Sequence, residues 1–520
     1  MPQKIIVRKN EYHDSIQLMR VSETLRKTEG VIQVMVAMAT DTNKQILSDI
    51  GLTSPAVEKA DKNDMVAAIR AQSEDVIEAA LAQMEDIFRH KNAKRDSRHN
   101  HATFQAALEA SPDANLCVIS IPGEYAFDEA RKALQAGLHL FIYSDNVPME
   151  QERQLKELAR EKGLLCMGPD CGVANINRIA LGTASVAGKG SIGIVGASGS
   201  GTQQIAVLVD REGVGVSQVI GVGGKDLKDD VGGIEMLFGI DALEEDPDTG
   251  VIVLVSRVPG SKTQAKILDR IHCCSKPVVV YFIGGDSQQI KNAGGIPADN
   301  SEDAAYKAVA IAKGQSFRTS LFSQPKEEID EIVSRETASL FPEQKYLRGL
   351  FCGGTFCEEA LSILGEIIGD TWSNVPLKKE RKLKDSLVSK EHTIIDLGDE
   401  EFMVGRAHPV IDPTSIRSAI LREGKYQDVA VLLMDFILGP AINPDPVGSV
   451  LDCIERVKAE RKKAGGHLSI VASVCGTEGD PQKVSDQEKK LRDAGVIVMP
   501  SNAQAARLSG FIIKRLSERR

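Results

Sequence analysis

Gly193-Ile194-Val195-Gly196-Ala197-Ser198-Gly199-Ser200-Gly201-Thr202-Gln203-Gln204 is the stretch on which the fold turns. An apolar run enters a turn of small residues and leaves it on a helix that continues through 205–209. Strand, glycine turn and helix in that order form the repeating element of a parallel α/β sheet. In such a turn glycine lets the backbone approach an anion, and the first helical N–H groups and the positive end of the helix dipole supply donors. Ser198, Gly199, Ser200, Gly201 and Thr202 are therefore candidate phosphate-binding residues. An ordinary turn in which Ser198 caps the helix is the alternative. No Lys follows the last glycine, so this is not a Walker A loop, and the spacing also fails the GxGxxG dinucleotide pattern.

The same rhythm extends outward. Apolar strands are expected at 116–120, 138–143 and 164–167, with helices at 125–136 and 149–162 between them. Further strands fall at 251–255 and 277–282, and a polar stretch at 314–323 closes this part. A third part starts near 346 and has expected strands at 393–397, 429–434, 468–472 and 496–499. Strands apolar throughout are buried on both faces, which implies parallel sheets flanked by helices. The first ninety residues read as a small α/β unit with strands near 5–7, 34–36 and 65–69 and helices at 15–27 and 73–88. The charged, His-bearing run from His90 to His101 reads as a solvated linker. The resulting division is 1–92, 102–188, 189–318 and 343–520, every part α/β.

Composition narrows the function. A net charge of −10 offers no general attraction to nucleic acid or anionic lipid. Aromatic residues are only 4% of the chain, which argues against base-stacking platforms and membrane-interface belts. The 9 cysteines are scattered without a CxxC pair, so no structural metal is expected; free thiols and the polar Met1-Pro2-Gln3-Lys4 start fit a soluble cytoplasmic protein.

Other loops offer candidate chemistry. Cys352-Gly353-Gly354-Thr355 repeats the strand–glycine–helix pattern, making Gly353, Gly354 and Thr355 a second candidate anion loop; the Glu358-Glu359 pair that follows suits a helix start but would repel an anion. Gly221-Val222-Gly223-Gly224 places Gly223 and Gly224 where a ligand could approach closely. Gly168-Pro169-Asp170-Cys171-Gly172 follows a strand, so Asp170 and Cys171 stand at a sheet's carboxyl end, where open α/β sheets bind their ligands. Gly405-Arg406-Ala407-His408-Pro409-Val410-Ile411-Asp412-Pro413 presents Arg406, His408 and Asp412 together, a pattern suited to proton transfer or carboxylate binding, with an Asp-stabilised turn as the alternative.

Taken in order, the segments Gly168 to Gly172, Gly190 to Val195 with Ser198 to Thr202, Gly221 to Gly224 and Glu245 to Thr249 resemble the α subunit of succinyl-CoA synthetase. Phe351 to Thr355, Ile395-Asp396-Leu397-Gly398 and Met434-Asp435-Phe436 resemble the CoA-ligase domain of that enzyme's β subunit. End to end the chain is similar to the FdrA family, in its YahF-like group, through 162–171, 346–355 and 408–414. The resemblance implies a Rossmann-like CoA-binding-type domain at 102–188, two flavodoxin-like synthetase-type domains at 189–318 and 343–520, and the small N-terminal domain. It implies two helix N-termini facing one phosphate.

The resemblance to FdrA further implies a subunit of an oxamate-type carbamoyltransferase, converting oxalurate and phosphate to oxamate and carbamoyl phosphate in anaerobic purine or allantoin breakdown. On that reading Ser198 to Thr202 hold phosphate, Gly353 to Thr355 close the opposite side, Arg406 and His408 bind carboxylate or move a proton, and Asp170, Cys171, Gly223, Gly224 and Asp412 face substrate. Companion subunits and oligomerisation are expected, and no cofactor is required, with CoA an optional ligand. The alternatives are an acyl-CoA synthetase subunit of the ADP-forming type and a non-catalytic scaffold. Three departures from the synthetase stand out. Asn292 occupies the position of its phosphorylated histidine, and an amide cannot carry the phosphoryl group. No glycine loop for CoA phosphates is evident at 113–123, and 330–345 leave no room for an ATP-grasp module.

Overall fold

The computed structural model describes residues 1–11, 13, 15–90, 101, 103–317, 320–403 and 406–519. Most of the expected linker, 91–100, lies outside the described residues, as does Gly405 beside Arg406. The chain divides into two units, Met1–Pro112 with Leu397–Lys425, and Asp113–Asp396 with Tyr426–Arg520.

In the first unit the strands Gln3–Arg8, Met65–Ala71 and Val31–Met38 form an antiparallel sheet with Met65–Ala71 in the middle. Alternation along this strand sorts its residues between two cores. Met65, Ala67, Ile69 and Ala71 pack with Leu18, Leu25, Ile77 and Met84 of the helices Ser15–Arg26 and Glu74–His90. Val66 and Ala68 pack on the opposite face with Ile46, Leu47, Leu52 and Val57. Helix Thr414–Glu423 joins this unit by lying on helix Asp41–Asp49, where Ser418 Oγ donates to Asp49 Oδ2 at 3.2 Å. The C-terminal part read as one span over 343–520 is thus interrupted: its sheet is left at Asp396 and rejoined at Tyr426.

The second unit holds three sheets. Leu116–Ile119, His139–Ile142 and Cys166–Met167 make a short parallel one. A seven-stranded sheet runs in the order Ile296–Pro297, Val278–Ile283, Val251–Arg257, Lys189–Gly196, Val216–Gly221, Val173–Ile176, Ile179–Gly182. Its first five strands are parallel, and the last two form an antiparallel hairpin. Asn177 (φ 50°) and Arg178 (φ 70°) make the tight turn of that hairpin, a conformation matched to the twist of paired strands. The sequence reading leaves this hairpin inside 102–188, but it extends the sheet of the following segment. The third sheet is six-stranded and parallel, in the order Trp372–Ser373, Thr393–Asp396, Tyr346–Phe351, Val429–Ile437, Ser469–Cys475, Ile497–Met499. Val429–Ile437 is buried at every position, as a central strand covered on both faces must be.

Polar bonds fasten the two large sheets together. Gln203 Nε2 donates to Ser185 Oγ and to Leu438 O, both at 2.8 Å. Thr477 Oγ1 reaches Val186 O at 2.5 Å, and Arg211 Nη2 reaches Val474 O at 2.7 Å. Their glycine turns are thereby held at a fixed separation.

Candidate functional site

Strand Lys189–Gly196 ends in the turn that opens helix Gly199–Arg211, with Ser198 as N-cap accepting from Gly201 N at 3.3 Å. Gly196 must be glycine because Thr202 fills the space a side chain would need. Strand Tyr346–Phe351 leads in the same way into helix Gly354–Ile368, capped by Gly353. The two turns meet. Ser198 Oγ is hydrogen-bonded to Thr355 Oγ1, and Thr355 N donates to Ser200 Oγ at 3.2 Å. A Cβ on Gly201 would lie 2.9 Å from Thr355 Cγ2, and one on Gly353 would lie 2.9 Å from Ser200 Cβ, so glycine permits this approach. Two positive helix ends face each other across a pair of hydroxyls, an arrangement that a bound anion relieves.

The turns differ in their free donors. Asp435 Oδ1 accepts from Cys352 N at 2.6 Å and Oδ2 accepts from Gly353 N at 2.9 Å. Burial pushes this carboxyl up to about 7, against the two N–H bonds that favour its charged form. Gly353 N is therefore committed to a carboxylate and not open to phosphate, a correction to the expectation that Gly353 binds it. Gly354 is crowded from the other side by Asp396, whose Oδ2 would lie 2.9 Å from a Cβ there. The exposed turn at Gly199 and half-buried Ser200 keeps its first helical N–H groups, which have no intrahelical acceptor.

The Gly221 loop sits beside this turn. Gly223 has φ 79° and packs against Pro169, while a Cβ on Gly224 would lie 3.8 Å from Asp170 Oδ2 and 3.9 Å from Ala197 O. The loop is pinned from below by a buried ion group. Lys156 Nζ donates to Val222 O at 2.8 Å, Glu152 Oε1 at 2.7 Å and Asp226 Oδ1 at 2.9 Å. Nearby, Glu235 Oε1 accepts from Cys166 N at 2.9 Å, and burial pushes its carboxyl up to about 8. Asp170, Gly223 and Gly224 thus lie together beside the Ser198 turn.

Other expected residues fall elsewhere. Cys171 lies under Gly221 with its Sγ 3.6 Å from Val173 O, and burial pushes its thiol up to about 12, so it packs and faces no substrate. Asn292 ends helix Ser287–Asn292 in an exposed position, its side-chain oxygen accepting from Gln288 Nε2 at 2.9 Å. Arg406, His408 and Asp412 belong to the first unit and serve their own turn. Arg406 Nη2 pairs with Asp412 Oδ2 at 3.0 Å, and Asp412 Oδ1 accepts from Thr414 N at 3.0 Å and Thr414 Oγ1 at 2.5 Å. His408 Nδ1 accepts from Val410 N at 3.3 Å, and burial pushes the imidazole down to about 4. A neutral ring fixed in its own turn and a carboxylate with both oxygens taken are a structural knot, in place of the proton carrier and substrate contact expected.

Residues the sequence reading missed include Lys156, whose burial has no local signature in an amphipathic helix. Asp435 stood within the Met434-Asp435-Phe436 stretch that carries the resemblance, but no role was assigned to it. Arg257 closes the run Val251-Ile252-Val253-Leu254-Val255-Ser256, and a lone cation at a strand's carboxyl end was the available signal.

These features define a class of chain: an α/β protein whose two large sheets each open a helix from a glycine turn, the two turns in contact. A CoA-ligase family model matches residues 350–512, and a CoA binding domain model matches 188–284, which is the segment carrying the Ser198 turn and not the preceding 102–188. The chain is 41% identical over 517 residues, 99% of each protein, to the uncharacterized protein YahF of Escherichia coli strain K12, and it belongs to the YahF family. It is 32% identical over 184 residues to the succinate–CoA ligase [ADP-forming] subunit alpha 2 of Archaeoglobus fulgidus, spanning 35% of this chain and 62% of that one. ATP citrate lyase from Methanothrix soehngenii, solved with citrate and coenzyme A, aligns over 81% of this chain and 85% of that one at 12% identity and a TM-score of 0.36. The CoA-ligase family model and the succinate–CoA ligase match support the CoA-ligase alternative over the carbamoyltransferase reading.

A third family model, described as AllF, heavy metal-associated domain, matches residues 1–107. The first cysteine of the chain is Cys117, and the described residues hold no group of three His, Cys, Asp or Glu side chains able to ligate a metal. Among the described residues, no helix is long and apolar enough to cross a membrane.

Proposed function

We propose that this chain is an acid–thiol ligase subunit that handles the acyl phosphate half of the reaction. A thiol sulfur of CoA attacks the acyl carbonyl, the carbon–oxygen bond to phosphate breaks, and phosphate leaves with the thiol proton. The observation that carries this reading is the contact of the two helix N-termini through Ser198, Ser200 and Thr355. When phosphate enters, the Ser198 and Thr355 hydroxyls exchange their mutual bond for bonds to phosphate oxygens, and the N–H groups of Gly199 and Ser200 add to them. Preorganised donors of this kind stabilise a leaving phosphate without reorganising water. With an amide at Asn292, no phosphoryl group is relayed covalently at that position, so nucleotide chemistry falls to a companion subunit.

The test uses the whole purified chain. Calorimetry with CoA and 31P NMR titration with inorganic phosphate should both detect binding, and phosphate should release free thiol from succinyl-CoA, the first acyl group to try given the relatives' names. Ser200→Asp puts a carboxylate into the cradle. It should abolish phosphate binding while leaving the melting temperature equal or higher, because an acid suits a helix N-terminus. Undiminished phosphate binding by Ser200→Asp, or no phosphate binding by the unaltered chain, overturns the reading. Carbamoyl phosphate formed from oxalurate with no thioester activity would replace it with carbamoyl transfer.

A further inference from the structure

The cradle as described has hydroxyls and N–H groups but no cation. Arg257 is the last residue of strand Val251–Arg257, which lies parallel to Lys189–Gly196 with Val255 opposite Gly196. Ala197 N continues the ladder by donating to Val255 O at 2.9 Å, and Arg257 follows two residues further along the same strand. Side chains two apart on a strand share a face. Val255 Cγ1 lies 3.3 Å from where Gly201 would carry a Cβ, so Arg257 projects on the same side as the helix that Ser198 caps.

The guanidinium is held from across the cradle. Its Nε donates to Glu358 Oε2 at 2.9 Å, and its Nη2 pairs with Glu358 Oε1. Glu358 follows Thr355 by three residues on helix Gly354–Ile368, so the two side chains are neighbours on its surface. The chain of contacts runs from Ser198 to Thr355, from Thr355 to its helix neighbour Glu358, and from Glu358 to Arg257, two residues beyond the Val255 that pairs with Gly196. Glu358 engages the Nε–Nη2 edge alone, and the Arg257 side chain remains 71% exposed, which leaves the Nη1 edge open to solvent.

We propose that Arg257 is an anion-binding residue of the cradle, its open guanidinium edge taking an oxygen of the bound phosphate while Glu358 fixes the other edge. This rests on the acyl phosphate reading of the same site. A fixed guanidinium matches phosphate better than an ammonium, because its planar fork presents two parallel donors. Glu358 also tempers the cation, so that phosphate can leave once the thioester is made.

The experiment compares the unaltered chain, Arg257→Gln, Arg257→Lys and Glu358→Gln by 31P NMR titration with inorganic phosphate, with melting temperature as the control for folding. Arg257→Gln should weaken phosphate about tenfold or more, the loss expected for one charge-assisted bond. Its melting temperature should fall by a few degrees at most, because Gln can still donate a hydrogen bond to the largely buried Glu358. Arg257→Lys should restore part of the affinity, and Glu358→Gln should tighten phosphate by removing the competing carboxylate. Affinity of Arg257→Gln within twofold of the unaltered chain overturns the inference and leaves the cradle standing. The same result follows if Arg257→Gln weakens succinate binding and not phosphate, since the arginine would then read the acid. Failure of the unaltered chain to bind phosphate is the separate outcome that removes the cradle itself.

Discussion

Replacing Gly201 with alanine tests whether the two turns touch. The new methyl would lie 2.8 Å from Ser198 Oγ, 2.9 Å from Thr355 Cγ2 and 3.3 Å from Val255 Cγ1, inside the roughly 3.5–4.0 Å at which nonbonded carbon atoms rest. Ser198 can turn its hydroxyl away, but only by giving up the helix cap, worth about 1 kcal/mol. The methyl of Thr355 moves only if its side chain or its helix shifts, and such overpacking costs about 1–3 kcal/mol. Against this, alanine in a helix is favoured over glycine by roughly 0.5–1 kcal/mol. The net expectation is a loss of about 1–3 kcal/mol, with phosphate affinity falling as the hydroxyl pair is forced apart. Gly365→Ala is the control, because that glycine lies within the same facing helix with nothing within 4 Å of its Cβ position. It should stabilise by about 0.5–1 kcal/mol. Urea unfolding and 31P NMR on both variants give the answer. If Gly201→Ala is stabilised as Gly365→Ala is, the steric reasoning fails, and if it binds phosphate normally the contact is irrelevant to the site.

Two further predictions concern buried groups. Lys156→Met leaves Glu152 and Asp226 buried without their shared cation and should destabilise the chain by about 3–5 kcal/mol in urea unfolding; a loss below about 1 kcal/mol would mean the ion group is not closed to solvent. His408, pushed down to about 4, is neutral in the fold, while the unfolded chain takes up a proton below about 6.5. Its contribution is therefore complete above about pH 6.5 and is lost as pH falls through about 4, by an amount on the order of 3 kcal/mol. Calorimetric melts of His408→Gln and the unaltered chain from pH 7 to 4 should converge as the pH drops, and parallel curves would show that the ring is not buried as described.

The two helix-opening turns were legible because their signal is local. A strand such as Gly193-Ile194-Val195, small residues and a helical run lie within a dozen positions, and the parallel sheet follows from strands apolar on both faces. Asp170, Gly223 and Gly224 were legible for the same reason, as residues at strand ends. Arg406, His408 and Asp412 misled because closeness in sequence serves a self-capped turn as well as a catalytic one. Only the burial of His408 and the Arg406–Asp412 pair separate the two.

The order of apolar and small residues by itself determined an α/β chain with glycine turns at strand ends, since backbone conformation and burial periodicity are short-range properties. That the two turns face one another was implied by the resemblance and by no short-range pattern, and tertiary structure decided the contacts through which they meet. The bond between Ser198 and Thr355 spans 157 positions, the commitment of Gly353 N to Asp435 spans 82, and the Arg257–Glu358 pair spans 101. It also decided that Leu397–Lys425 leaves the C-terminal sheet to join the N-terminal unit. Such pairings depend on how whole layers stack and which charges that stacking buries, and no periodicity along the chain encodes them.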